Sequence, residues 1–262
     1  VETPRLLLNS ASVHAPEGLG NDSGQVGKHF METLHWISSG LHADPLGSHR
    51  GLPADGICWD YNAPDAIPDI VGGFRFGSAI QEADLSGPQT YATRVVSGWG
   101  RAHKGAMREQ FGHALSVAAI GESLPNRKSF IDLDPTVRNA HGMPKACIHS
   151  YLDDTELSWL AFMAKKTREV IDASGAGDLF EEYGAYDAFQ PTHVFGTCRM
   201  GNDPERSVVD PYGRSHRWRN LIVADASVFP SSRGGESPAL TIEALSVRAA
   251  RQLADRASKG EF

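Results

Sequence analysis

No apolar run in this chain approaches the roughly 20 residues that a membrane-spanning helix needs. No membrane span is therefore expected, and the compartment, cytoplasmic or periplasmic, is left open. Basic residues form no long cluster and the formal net charge is -7. Proteins that grip nucleic acid usually gather Lys and Arg on one face, so that class is set aside. Cysteine is scarce: Cys58, Cys147 and Cys198 stand far apart without a C-x-x-C pair. Neither a zinc motif nor a disulfide framework is expected, and no metal is assigned. Glycine is plentiful, yet no strand-like run leads into G-x-G-x-x-G, the turn that cradles a diphosphate ahead of a ribose-binding acid. Gly175-Ala176-Gly177 follows a helical pattern instead and reads as a helix C-cap.

What remains is an ordinary folded composition: 262 residues, 40% hydrophobic and 22% charged, enough for one domain or two small ones with a sizeable core. Apolar spacing predicts a helix over 101–116, carried by Ala102, Met107, Phe111 and Leu115. A longer one is predicted from Asp154 to Ala173. Its inner face would hold Leu157, Leu160, Ala161, Ala164, Val170 and Ile171, with Glu156, Lys165, Lys166 and Arg168 outside. Thr3-Pro4 reads as an N-cap and first helical residue ahead of Leu6, Leu7 and Leu8, all expected inside. Gly56 to Tyr61 and Gly73 to Gly77 alternate like strands. Their Trp59, Tyr61, Phe74 and Phe76 could stack on a sugar, but packing as half-buried strand residues is the preferred reading. Asp-Pro and Gly-Met-Pro punctuate 121–144 into strand, turn and strand.

The last quarter is the most informative. His193-Val194-Phe195-Gly196-Thr197-Cys198-Arg199-Met200-Gly201 is followed by Val208-Val209-Asp210, by Asn220 through Ser227, and by Ser237-Pro238-Ala239-Leu240-Thr241. Leu221 to Asp225 reads as a buried strand delivering an acid at its C-terminal end. Ser237-Pro238 reads as the cap and first residue of a helix with Leu240, Ala244, Leu245, Ala249 and Leu253 inward. His193 precedes a Gly-Thr turn that would hold its imidazole at the end of a segment, and imidazole, with an ordinary pKa of about 6.5, suits proton transfer. Cys198 makes a Cys-His nucleophile pair conceivable, without an oxyanion site or third partner to support it. Arg199 could pair with a carboxylate or anchor the turn.

This order of segments resembles the C-terminal signature of the glucose-methanol-choline (GMC) family of flavin oxidoreductases, which runs roughly HxxGTCRMG, VVD, NLxVxDASxFP and NPxLTIxALAxR. The resemblance extends to Val26-Gly27-Lys28-His29-Phe30-Met31. It also takes in Gly121 to Asn126, Ile131 to Asp134 and His141 to Pro144, which are most like the sugar- and glucoside-acting branch. It implies an α/β fold, mixed in the α+β sense: the C-terminal part of an FAD-binding domain plus a mixed-sheet substrate domain. Residues 1–31 would be a segment of the FAD-binding domain, 32–192 the substrate-binding domain, and 193–262 the signature that completes the flavin site.

The resemblance further implies FAD as cofactor, with Asp225, Ala226, Pro238 and Thr241 beside it, and His193 as acid or base at the flavin ring. The substrate would be a sugar or related alcohol, and the residues do not identify the electron acceptor. The family's second catalytic residue, an Asn or His just before the Pro, is Ser237 here, either a true partner or only a cap; His216 and Glu236 flank it as possible substitutes. Val1 to Ser10 resembles a segment well inside the family's chain. The chain is therefore expected to be a fragment, a processed product or one half of a split enzyme. It would need the missing N-terminal FAD-binding half and hold FAD weakly without it. The alternative is a non-catalytic subunit or degenerate relative kept for partner binding.

Overall fold

The computed structural model describes residues 1–50, 56–63, 65–67, 70, 72–189, 193–232 and 237–261; Glu236 lies outside them. In chain order the elements are α1 (Glu2–Asn9), β1 (Met31–Glu32), β2 (Leu34–Leu41), β3 (Ile57–Cys58), β4 (Phe74–Ser78), α2 (Pro88–Arg94) and α3 (Gly100–Gln110). There follow β5 (Ala114–Gly121), β6 (Phe130–Arg138), β7 (Pro144–His149), α4 (Asp154–Ala173), β8 (Asp178–Gly184), β9 (Val194–Phe195) and α5 (Ala239–Ser258). Helices and sheets are thus mixed, as the α/β reading expects. The chain divides into two compact units.

One unit is Leu34–Glu122 with Leu152–Gln190. Its five-stranded sheet has the order β3-β4-β5-β2-β8, and every pairing is antiparallel rather than mixed. The connections bring each strand back beside its neighbour in the opposite sense, so no same-direction crossover is needed. The interior strand β2, between β5 and β8, is buried on both faces. Leu34 and Trp36 join Phe74, Phe76, Trp159, Leu160 and Met163 in one cluster, while Ile37 joins Ala79, Ile80, Leu85 and Tyr91 in another. Its buried serines are satisfied, Ser38 by the Thr167 hydroxyl at 2.8 Å and Ser39 by that of Ser116 at 2.8 Å. Phe74 and Phe76 are therefore core residues, Tyr61 is partly buried against the same cluster, and Trp59 is half exposed.

The helix over Asp154–Ala173 forms with the predicted bounds. Asp153 accepts from the N–H groups of Thr155 and Glu156, and the Glu156 carboxylate accepts from Asp153 N–H at 3.1 Å. This capping box draws Glu156 inside, against the expectation that it faces out. The large Trp159 and Met163 set the inner face with Leu160, Ala164, Thr167 and Ile171, which leaves Leu157, Ala161 and Val170 exposed. The helix predicted over 101–116 stops at Gln110. Gly112 turns at φ +92, a left-handed conformation natural to glycine, and Ala114 onward is drawn into the centre of the sheet.

The other unit is Val1–Thr33, Ser123–Tyr151 and Pro191–Phe262. Residues 123–151, grouped by sequence with 32–192, thus pack with the chain ends. Ile131 N–H donates to Gly27 O at 2.8 Å and Phe30 N–H to Ser129 O at 3.0 Å, bonds between residues about a hundred positions apart that periodicity cannot reveal. The core of this unit is Leu7, Val26, Met31, Phe195, Cys198, Val208, Val209, Val223, Val228 and Phe229. In α1 the cap position is Val1, not Thr3, and Leu7 is buried while Leu6 is exposed. In α5 the inward residues are Ile242, Leu245 and Ala249. Leu240 and Ala244, expected inside, face out.

Candidate functional site

The segment led by His193 is fixed from two sides. Its own carbonyl accepts from Thr33 N–H at 3.1 Å and from the Thr33 hydroxyl at 3.3 Å. The two residues after it, Val194 and Phe195, pair antiparallel with Glu32 and Met31. At Gly196 the chain turns at φ +88, and a Cβ there would stand 2.4 Å from His29 O, so only glycine fits. Residues 196–200 then run beside 226–228: Gly196 N–H donates to Ala226 O at 3.3 Å, Cys198 N–H to Ser227 O at 2.8 Å and Met200 N–H to Val228 O at 2.8 Å. Gly27 N–H donates to Thr197 O at 2.7 Å. Two motifs separated in sequence thus become one hydrogen-bonded ledge.

Asp225 sits at the edge of that ledge. One carboxylate oxygen accepts from Ser227 N–H at 2.7 Å, capping the short 3-10 turn over Ala226–Val228. The other accepts from the Thr3 hydroxyl at 2.5 Å. The expected strand from Leu221 to Asp225 does not form. Ile222 makes a single bridge to Arg214, and among the described residues no further strand lies beside it to extend a ladder. Asp225, Ala226, Phe30, Phe195, Thr197 and Ile242 wall an open groove of about 260 Å³.

The structure gathers some of the predicted residues and leaves others aside. Asp225 and Ala226 line the groove, and His193, half-buried, adjoins Val194, which also lines it. Pro238 occupies the cap position of α5 with no side-chain cap bond. Ser237 lies before it, exposed, and so is not the N-cap that the sequence suggests. Thr241 is exposed in the first turn, next to Ile242 of the groove wall. Thr3 was missed because nothing local marks a threonine 222 residues from its carboxylate.

The remaining candidates have structural explanations. Burial pushes the Cys198 thiol up to about 12, which removes it as a nucleophile at neutral pH. Arg199 Nε donates to Arg206 O at 2.8 Å and anchors the turn. His216 shares a 2.8 Å hydrogen bond with Ser207. His29 has an unusual setting: buried, in the left-handed region at φ 59, with no hydrogen-bond partner for either ring nitrogen among the described residues. Burial first, then the nearby charges of Arg199, Arg127 and Lys28, lower its pKa to about 4.

Residues 125–246 match the family model described as GMC oxidoreductase. A 2-methyl-1,2-propanediol dehydrogenase of Mycolicibacterium austroafricanum is 31% identical over 98% of this chain and 47% of its own length. The large subunit of a fructose dehydrogenase from Gluconobacter japonicus is 25% identical over 99% of this chain and 46% of its own. Among solved structures, a variant of formate oxidase from Aspergillus oryzae RIB40, studied for its effect on FAD modification, aligns with 100% of this chain and 53% of its own. Its TM-score is 0.63 at 16% identity, a likeness of fold. The chain spans about half the length of the curated relatives it matches. Its motifs, the family model and these relatives agree, and the chain belongs to the GMC oxidoreductase family, to whose C-terminal portion it corresponds.

Proposed function

We propose that this chain forms one wall of an FAD site and oxidises a CH–OH group of a sugar or related alcohol, with His193 as the acid/base. The observation that carries this is the ledge of 196–200 bonded along 226–228, which fixes the backbone that follows His193 beside the groove of Asp225 and Ala226. The groove suits a flat group with a polar edge: it is open, is walled in part by Phe30, Phe195 and Ile242, and bears a carboxylate whose position is set by two hydrogen bonds. Asp225 and Ala226 would hold FAD, with Pro238 and Thr241 offering the first turn of α5, whose leading N–H groups lack intrahelical acceptors. When bound, FAD supplies the hydride acceptor.

His193 would take the substrate hydroxyl proton on an imidazole nitrogen as the C–H bond gives up its hydride. Its carbonyl, tied to Thr33, fixes the backbone from which the ring projects. Ser237 is exposed and makes no cap bond, which leaves its hydroxyl available to orient that substrate oxygen.

The test pairs this chain with a polypeptide supplying the half of its relatives' length that it does not cover. His193→Asn should lower sugar- or alcohol-dependent dye reduction by about 100-fold or more with flavin retained. Unchanged turnover would refute the role. A second reading, a relative that binds flavin without turning over, rests on Ser237, because a hydroxyl cannot titrate in place of the family's His or reproduce an Asn amide. Full flavin loading with no turnover on any alcohol tried would favour it.

A further inference from the structure

We propose that Asp132, Cys147 and His149 bind one divalent ion of borderline softness, such as Zn²⁺, on one face of the β6–β7 ribbon. The register sets Asp132 directly opposite Cys147 and Phe130 opposite His149. Alternate residues share a face, so the three donors project to one side, away from buried Ile131. One carboxylate oxygen, the thiol sulfur and one imidazole nitrogen lie within 4.8 Å of one another. Ligands held at about 2.0–2.3 Å around a tetrahedral ion sit roughly 3.3–3.6 Å apart, a closure that small side-chain rotations supply. The His149 ring is held by stacking on Phe130, with centroids 4.1 Å apart and planes at 17°.

The plainer reading is an ion pair, since His149 Nε2 lies 3.0 Å from Asp132 Oδ1. That pair is half exposed, stabilises little, and leaves the thiol beside it unexplained. A mixed O, N and S donor set suits zinc far better than magnesium or calcium. Three protein ligands also leave a fourth position for water or another ligand. Lys28 Nζ stands 4.2 Å from the centroid of the Phe130 ring, and its charge opposes the ion while favouring the thiolate. On binding, the Cys147 S–H bond breaks, its proton goes to solvent and a sulfur–metal bond forms, with no change of oxidation state.

Co²⁺ titration of the full chain tests this. Expected are one ion per chain with a thiolate-to-cobalt charge-transfer band, its displacement by Zn²⁺, and weaker binding as pH falls. Cys147→Ser should abolish the band, while His149→Gln and Asp132→Asn should each weaken binding at least about tenfold with circular dichroism unchanged. Cys58→Ser, at the other accessible thiol, should leave the band intact. No band in the native chain, or a band that survives Cys147→Ser, overturns the proposal. Should Cys147→Ser not fold, undiminished Co²⁺ affinity in His149→Gln overturns it equally.

Discussion

His29 is the residue whose protonation should be felt most in stability. Its pKa of about 4 lies below the ordinary 6.5, so the folded state binds fewer protons than the unfolded one across that interval. The contribution is complete above about pH 6.5 and is lost as pH falls toward 4. Unfolding by denaturant should show a decline on the order of 3 kcal/mol over that range. His29→Asn keeps a residue that tolerates the left-handed backbone and should flatten the decline; an unaltered pH profile in that variant would count against the assignment. Burial also lowers the pKa of His35, which acts in the same direction and sets a remainder. Thiol chemistry gives a second check: Cys58 is exposed and Cys198 fully buried. A disulfide reagent should modify Cys58 in the native protein and reach Cys198 only on unfolding. Ser237→Ala should alter stability by no more than about 0.5 kcal/mol, since its side chain caps nothing. Any large effect must then appear in turnover, which is how the proposed catalytic role is separated from a structural one.

At the scale of elements, the ledge depends on two close contacts. Gly27 sits at φ +84 with a would-be Cβ 2.1 Å from Ile131 O. Gly27→Ala should therefore cost on the order of 3 kcal/mol or more, as backbone strain adds to a clash that only movement of β6 relieves. Asp225→Ala removes the cap of the 3-10 turn and the acceptor of the Thr3 hydroxyl together, a loss of about 1–2 kcal/mol measurable as a lower denaturation midpoint. The helices show what periodicity can and cannot say. The bounds of α4 were legible because an Asp-x-x-Glu box opens it and Gly175 follows its end. Its inner face was legible in part: Leu160, Ala164 and Ile171 are buried as expected, but Trp159 and Met163 outweigh Leu157, Ala161 and Val170 once there is a sheet to pack on. Similarly, the apolar residues at 111 and 115 fit a helical spacing equally well as a turn and the start of a central strand, and only pairing with β2 decides it.

For the whole molecule, the expectation is that the chain alone retains FAD weakly. Its groove is open, and no G-x-G-x-x-G turn is present to hold a diphosphate. Adding the polypeptide that supplies the rest of its relatives' length should raise flavin retention to one per chain, read as flavin absorbance after gel filtration. Stoichiometric yellow protein from the chain by itself would contradict this. The sequence alone determined the family, the order of the motifs, the ends of the long middle helix and the chemical types in the site, since these are local: a histidine before a Gly-Thr turn, an acid before Ala-Ser, a proline that opens a helix. Only the tertiary structure decided which of them meet. That Gly196–Met200 lies along Ala226–Val228, that Thr3 reaches Asp225, that 123–151 joins the chain ends and that Ser237 is no cap all depend on hydrogen bonds and packing between distant segments, whose cost in chain entropy is met only when the whole unit folds.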